Sequence, residues 1–485
     1  MNPDSRVVIA GAGPAGLTAA YQLTKRGVLP LVVERDPIVG GIARTEVYKG
    51  YRFDIGGHRF YTKVGEVEEF WDEILGDEFI NVPRLSRIYY QGKYFNYPLS
   101  VISTLKSLGI VPSLRIILSY LKTQMKTYLK PAPEPENFED WAINSFGKQL
   151  YLTFFKTYTE KVWGIPCNKI QAEWAAQRIQ GLSLKKAVIN AIFGANNTKT
   201  LIKEFKYPIL GPGMMWERVQ EKVEAVGGNV CLRTELMQVH REGDRITGVT
   251  LHHNQEAQFK SVDHLISTMP ITALIQRLDP PAPPEVIHAA KSLNYRAFLI
   301  VALIVDNPDL FPDNWIYIHS PEVRVGRIQN FKNWSQAMVP DASKTCLGME
   351  YFCSEGDDIW TMPDADLIQL ATKEVEELKL AKSKEVLDGV VIRQPKAYPI
   401  YDGTYRQHLE TIRKYLDAFK NLQTVGRNGM HRYNNQDHSM LTAMLAVDNF
   451  WDQQDHNLWD VNTERSYHET FTKEEWNKVK VGTTV

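Results

Sequence analysis

The chain has 485 residues, 44% of them hydrophobic and 23% charged, enough apolar material for about three packed units of ordinary size. A formal net charge of −1 gives no electrostatic ground for a nucleic-acid partner, and no apolar run reaches transmembrane length. Four scattered cysteines (Cys167, Cys231, Cys346, Cys353) without CxxC or metal-ligand spacing read as free thiols. The first strand starts by Arg6, leaving no room for a signal peptide, so a cytoplasmic protein is expected. No HExxH, Cys/His cluster or GxSxG occurs, so metal-dependent and serine hydrolysis have no support and no metal ligands are expected.

Residues 6–35 read strand, tight turn, helix, strand: Val7 to Ala10, Gly11 to Gly16, Leu17 to Arg26, Pro30 to Glu34. The turn is Gly11-x-Gly13-Pro14-Ala15-Gly16. The first glycine permits the turn, the second lets backbone approach a pyrophosphate, and the third lets the helix pack on the strand with its positive N-terminus facing the phosphates. Glu34, ending the next strand, is placed to accept from a ribose diol. A lone GxGxxG is weak evidence; strand, helix and distal acid together make a dinucleotide site. Beyond Glu34, the stretch Arg35-Asp-Pro-Ile-Val-Gly40-Gly41-Ile-Ala-Arg44-Thr45 resembles an extension of FAD-dependent amine-oxidase-like proteins. There a Gly-Gly pair and an arginine or threonine approach the FAD diphosphate. Val262 to Pro270 is similar to the strand by which that superfamily returns to its cofactor. The resemblance implies FAD rather than NAD, with Arg35, Gly41 and Arg44 in its site; with no second GxGxxG to hold a nicotinamide, NAD(P)H enters at most as an external reductant.

From about Glu66 to Lys206 the pattern is mainly helical. Ile116, Leu118, Tyr120 and Leu121 lie among Lys106, Lys122, Lys126 and Lys130, a basic helix read as a solvated face rather than a membrane contact. Short alternating strands follow over Gly228–Pro270, with turns at Glu242–Asp244 and His253–Asn254. A second β-rich stretch begins with the apolar Phe298–Val305. A turn at Gly426–Gly429 and a helix over Met440–Trp451 close the pattern. The expected fold is α/β: a Rossmann-type FAD-binding domain assembled from discontinuous segments, a mainly helical insertion and an antiparallel sheet substrate domain. The expected boundaries are 1–75, 206–285 and 390–485 for the FAD-binding parts, 76–205 for the insertion and 286–389 for the sheet.

Gly56-Gly57-His58 is the next informative motif. The paired glycines let backbone contact a flat ring, and His58 is either a hydrogen-bonding partner of a flavin or a turn residue. Here the chain begins to resemble the UDP-galactopyranose mutases, especially the eukaryotic type. Tyr89-Tyr-Gln-Gly92 to Tyr97-Pro98 is similar to a hairpin whose tyrosine touches the nucleotide. Lys161-Val-Trp163-Gly-Ile-Pro166 with Lys169, Gln171, Trp174 and Arg178 is close to a stretch ending in a diphosphate-binding arginine. Trp315-Ile-Tyr317 resembles a uridine-side segment. Ala397-Tyr398-Pro399 and Arg432-Tyr433-Asn-Asn435-Gln-Asp437-His438-Ser439, after Gly426-Arg427, match two tyrosine motifs, the latter supplying flavin contacts from a helix N-terminus.

The resemblance implies that Arg178, Tyr398 and Tyr433 stabilise a leaving diphosphate and that His58 supports the reduced flavin. It places Tyr97, Trp163 and Tyr317 at the substrate, where Arg327 is a candidate only by folding back, and Gly57, Gly426, Arg427, Asn435, Asp437, His438 and Ser439 at the FAD. Read without it, Arg178 is equally a surface salt-bridge partner, and Tyr398 and Tyr433 are core residues. Two positions depart from the family: the strand Ile300–Val305 lacks a second diphosphate arginine, with nothing basic before Arg324 and Arg327, and Thr159 stands where an asparagine is usual. The implied activity is pyranose–furanose interconversion of a nucleotide-diphosphate sugar, with reduced flavin as the nucleophile. The alternative is an FAD-dependent oxidoreductase of the amine oxidase, protoporphyrinogen oxidase or desaturase kind.

Overall fold

In the computed structural model, which describes residues 5–97, 99, 101–129, 134–172, 204–254 and 256–462, strands drawn from remote parts of the chain make one parallel sheet. Its order is Leu422–Thr424, His264–Ser267, Val7–Ala10, Leu31–Val33, Asn229–Cys231. The strand Val7–Ala10 sits at the centre, buried on both faces, which explains its unbroken apolar run. Val7 and Ile9 point into a cluster with the helices Pro14–Thr24, Pro212–Ala225 and Gln436–Trp451. Val8 and Ala10 point the opposite way, towards the hairpin strands Thr234–Glu242 and Arg245–His253. Helices on one face and a small sheet on the other complete the Rossmann-type unit.

A seven-stranded, mostly antiparallel sheet forms the second body. Its order is Val386–Pro399, Tyr295–Val305, Thr345–Cys353, Arg327–Asn330, Trp315–Ile318, Ser86–Tyr90, Lys93–Asn96. The run Phe298–Val305 is apolar at every position because both faces are covered. Leu299, Val301, Leu303 and Val305 meet the helix Asp364–Glu377 side, while Phe298, Ile300, Ala302 and Ile304 meet the face that carries Tyr317 and Tyr398. Burying each of the Val, Leu, Ile and Phe side chains is worth about 1.5–3 kcal/mol.

The helical region departs from its expected form. Residues 79–96 hold three strands, two of which extend the large sheet. Across the hairpin Tyr89 faces Tyr94 and Ile88 faces Phe95, aromatic and β-branched cross-strand pairs that stabilise a sheet. Helices Ile110–Leu129, Phe138–Phe146 and Thr157–Trp163 follow, around an aromatic core of Phe138, Phe146, Phe154 and Trp163. The final helix begins at Gln436, four residues before the sequence pattern suggested. Its first turn is polar because it faces a cleft rather than a core.

Candidate functional site

The glycine loop after the first strand does what its spacing requires. Gly11 has φ +103°, and a Cβ there would lie 2.1 Å from Thr268 Oγ1, whose hydroxyl donates to Ala10 O. A Cβ on Gly16 would lie 1.9 Å from Gly11 O, so only glycine lets this helix close on the strand. Across the cleft the second glycine pair approaches: a Cβ added at Gly41 would lie only 3.3 Å from Gly13 Cα. Glu34 accepts from the Ala12 N–H at 2.9 Å and the Asp36 N–H at 3.0 Å, tying the turn to the second strand. Burial pushes its pKa up against the pull of those two donors.

These loops enclose a cleft of about 420 Å³. Pro14 and Ala15 open one helix on it, and Gln436 and Ser439 open another, so two helix N-termini face the same space. Gly426 (φ +85°) completes the wall; its N–H is held by Thr442 Oγ1 at 3.0 Å and its carbonyl by Asn434 Nδ2 at 3.1 Å. Arg35 and Arg44 line the cleft, Arg44 fixed by Glu46 at 2.6 Å and by Gly41 O at 3.1 Å. Thr45 turns away, donating to Asp54 Oδ1 and accepting from the Gly213 N–H. Both polar atoms of the buried Gln436 amide lack a protein partner, and this side chain borders both the cleft and the chamber beside it. An orphaned amide, paired glycine loops and two helix N-termini suit the edge of a flavin and its diphosphate.

The adjoining chamber, of about 1020 Å³, shares Ile42, His58, Arg427 and Gln436 with the cleft, so the two lie side by side. His58 Nδ1 lies 3.1 Å from Gly56 O. Burial, reinforced by Arg427 and then Arg327, pushes its pKa down to about 3. The ring is therefore neutral, carries its proton on Nδ1, where Gly56 O accepts it, and leaves Nε2 as an acceptor. Tyr398 and Tyr433 stack at 5.5 Å with 19° between their planes. The Arg427 guanidinium lies 4.7 Å from the Tyr433 ring and donates to the carbonyls of Asn434 and Ala397. Trp163 is buried behind these tyrosines, 6.4 and 6.3 Å from their rings, and backs them rather than lining the space.

Arg327 and Arg324 have opposite fates. Arg324 pairs outward with Asp358 at 2.7 and 2.8 Å. Arg327 lines the chamber and meets Glu350, its cross-strand partner, at 2.5 Å. Burial works against its charge, but Glu350 outweighs it and the guanidinium stays protonated. It lies two strands away from Ile300–Val305, where no basic residue occurs. Tyr97 and Tyr317 meet on the chamber wall with ring centroids 4.6 Å apart and 43° between their planes. Asn435, Asp437 and His438 also face the chamber, whereas Ser439 faces the cleft. Arg178 and Trp174 lie outside the described residues. Sequence reasoning did not single out Arg59, Tyr401, Arg406 or His431, all of which border the chamber. Only adjacency to His58 and Arg432 pointed towards two of them.

A model of the flavin containing amine oxidoreductase family matches residues 14–431. The chain belongs to this family. Its cofactor is FAD, and it is a flavoenzyme of oxidoreductase or isomerase type. The structure of a reduced UDP-galactopyranose mutase superposes with a TM-score of 0.82 at 22% identity, covering 95% of this chain and 100% of that one. A putative protoporphyrinogen oxidase from Exiguobacterium gives 0.67 at 17%, covering 93% and 99%. At these identities the likeness is one of fold. Among curated relatives, a probable UDP-galactopyranose mutase of Klebsiella pneumoniae is 25% identical over 178 residues, 35% of this chain and 44% of that protein. The dTDP-fucopyranose mutase of Escherichia coli is 25% identical over 186 residues, with the same shares. The match thus spans less than half the length of either mutase. An L-amino-acid oxidase of Crotalus adamanteus is 25% identical over 324 residues, 61% of this chain and 57% of that protein.

Proposed function

We propose that this flavoenzyme interconverts the pyranose and furanose forms of a nucleotide-diphosphate sugar. The observation that carries the reading is the chamber: two guanidiniums, Arg327 and Arg427, and two stacked phenols share one space beside the flavin cleft. Its volume of about 1020 Å³ is at the upper end of small-molecule sites, roughly 300–1,000 Å³. That suits a nucleotide sugar better than a free amine. Reduced flavin, when bound, supplies the nucleophilic nitrogen that the resemblance implies. Arg327, held charged by Glu350, binds and orients a diphosphate. Burial and the neighbouring Tyr433 push the Tyr398 pKa up, so its phenol remains an O–H donor to charge developing on the leaving oxygen. Neutral His58 offers Nε2 to an N–H on the cofactor side. Tyr97 and Tyr317 provide flat faces for a base.

A second reading, oxidation of an amine or amino acid, is favoured by the oxidase relative, whose match covers more of this chain than the mutases' does. One experiment separates them. The purified protein is reduced anaerobically, with NAD(P)H or dithionite, and given UDP-, GDP- and dTDP-sugars while the flavin spectrum and sugar products are followed. Ring-form conversion that needs reduced flavin and consumes no reductant is the expected result. Oxygen uptake on amines or amino acids, with no spectral response to any nucleotide sugar, overturns the mutase reading.

A further inference from the structure

The helix Ile110–Leu129 is the part of the molecule that the active site does not explain. One narrow face is anchored: Ile116 and Tyr120 are buried in the aromatic core, Ser119 Oγ accepts from Gln149 N at 3.1 Å, and Gln124 Nε2 donates to Asn144 O. Gly147 approaches so closely that a Cβ there would lie 2.9 Å from Tyr120 Cα. The helix is therefore held in place, yet most of its apolar residues face outward. Ile110, Leu114, Leu118, Leu121, Met125 and Tyr128 are exposed, Ile110 by 80% and Tyr128 by 90%. At 100° per residue these fall on a single stripe, at i, i+4, i+8, i+11, i+15 and i+18. Arg115, Lys122 and Lys126 each follow one residue after a member of that stripe and form an exposed basic row along its edge.

The charge pattern is equally one-sided. Between Glu78 and Glu134 the sequence holds eight lysines or arginines and no acid, in a chain whose formal net charge is −1. An apolar stripe of this length is uncommon on a protein surface that stays in water. A second copy of the chain is a poor cover for it. A symmetric contact would set the basic row against itself or against an acid-free helix. An anionic bilayer matches both features, because the apolar stripe enters the acyl boundary while the flanking lysines and arginine reach the headgroups. No helix among the described residues is long and apolar enough to cross a membrane, so the contact is in plane.

We propose that the helix Ile110–Leu129 docks this protein on an anionic phospholipid surface, with Leu114, Leu118, Leu121 and Met125 inserted and Arg115, Lys122 and Lys126 at the headgroups. The sequence alone read this segment as a solvated face; the outward apolar stripe is what changes that. The proposal is independent of the sugar chemistry above.

The full-length holoprotein is floated with phosphatidylcholine vesicles with and without phosphatidylglycerol, at low and high salt. The expected result is flotation with the anionic vesicles alone, weakened by salt as counterions screen the basic row. The variant Leu118→Glu/Leu121→Glu, whose two positions are exposed, should lower vesicle binding about tenfold or more while keeping flavin absorbance and melting temperature. Lys122→Glu/Lys126→Glu should abolish the preference for anionic lipid. Failure of the wild-type protein to float with anionic vesicles at low salt overturns the proposal. So does unchanged flotation of the leucine variant, or a wild-type dimer that this variant dissociates without any vesicle binding.

Discussion

The cofactor cleft and the substrate chamber are neighbours built in different ways. The cleft is made of backbone: glycine loops, two helix N-termini and the N–H groups that Glu34 ties down. The chamber is made of side chains brought from residues as far apart as His58, Tyr97, Arg327, Tyr398 and Tyr433. A backbone site tolerates little change where a Cβ would meet main chain that cannot move, as at Gly16. A side-chain site can lose one contact at a time, and its losses appear in chemistry before they appear in folding.

The sharpest way to break that contrast is at Gly16. In Gly16→Ala the new Cβ would lie 1.9 Å from Gly11 O, and the helix must shift off the strand. The purified variant should lack flavin absorbance and should lose about 3 kcal/mol or more of stability by denaturant titration. Retention of stoichiometric flavin would show that the cleft is more plastic than its geometry states.

Arg327 tests the chamber. Arg327→Ala should keep flavin but lower turnover by about 10²–10³-fold in the sugar assay. It also leaves Glu350 buried without its cation, so a stability cost of about 3 kcal/mol is expected. Arg327→Ala/Glu350→Gln should recover most of that stability and none of the activity. Arg324→Ala, which removes an exposed pair, should change neither by more than about 0.5 kcal/mol or twofold. Equal effects of the two arginines would remove the distinction drawn between them.

A further effect, on stability alone and read against pH, is expected at Asp54, which lines neither cavity. Asp54 is fully buried, and burial pushes its pKa up to about 7 against the hydrogen bonds from Tyr207 and Thr45. The folded state therefore holds this proton more tightly than the unfolded chain. Its contribution is complete below about pH 4 and is lost as pH rises through about 7, on the order of 2–4 kcal/mol. Chemical denaturation of Asp54→Asn against wild type across pH 5–8 should show a flatter profile for the variant. An unchanged slope would mean that Asp54 is ionised in the folded protein.

Much of the cleft was legible in the amino-acid sequence because its requirements are local. Gly11, Gly13 and Gly16 sit at fixed offsets between a strand and a helix, and Glu34 falls at the end of the next strand. The uniform run Phe298–Val305 likewise announced a strand covered on both faces. Within residues 79–96 the resemblance named the hairpin Ser86–Tyr90 and Lys93–Asn96, but periodicity alone left it and Phe79–Pro83 among helical patterns, since their pairings with Trp315–Ile318 and Glu204–Pro208 join distant segments. The resemblance to known mutases named Tyr398 and Tyr433, but periodicity alone would have left them in a core.

By itself the sequence determined the nucleotide-binding turn, the alternation of strand-rich and helix-rich blocks and the absence of metal-ligand spacing, all of which depend on residues close in the chain. The tertiary structure decided which of two nearby arginines faces the chamber, because strand register sets Arg327 opposite Glu350 and leaves Arg324 to Asp358. It decided that His58 is neutral, since burial beside two guanidiniums sets its proton affinity. It also decided that the apolar stripe of Ile110–Leu129 points outward: helical spacing groups those side chains on one face, but only packing of the opposite face against Phe138 and Phe146 determines which face meets solvent.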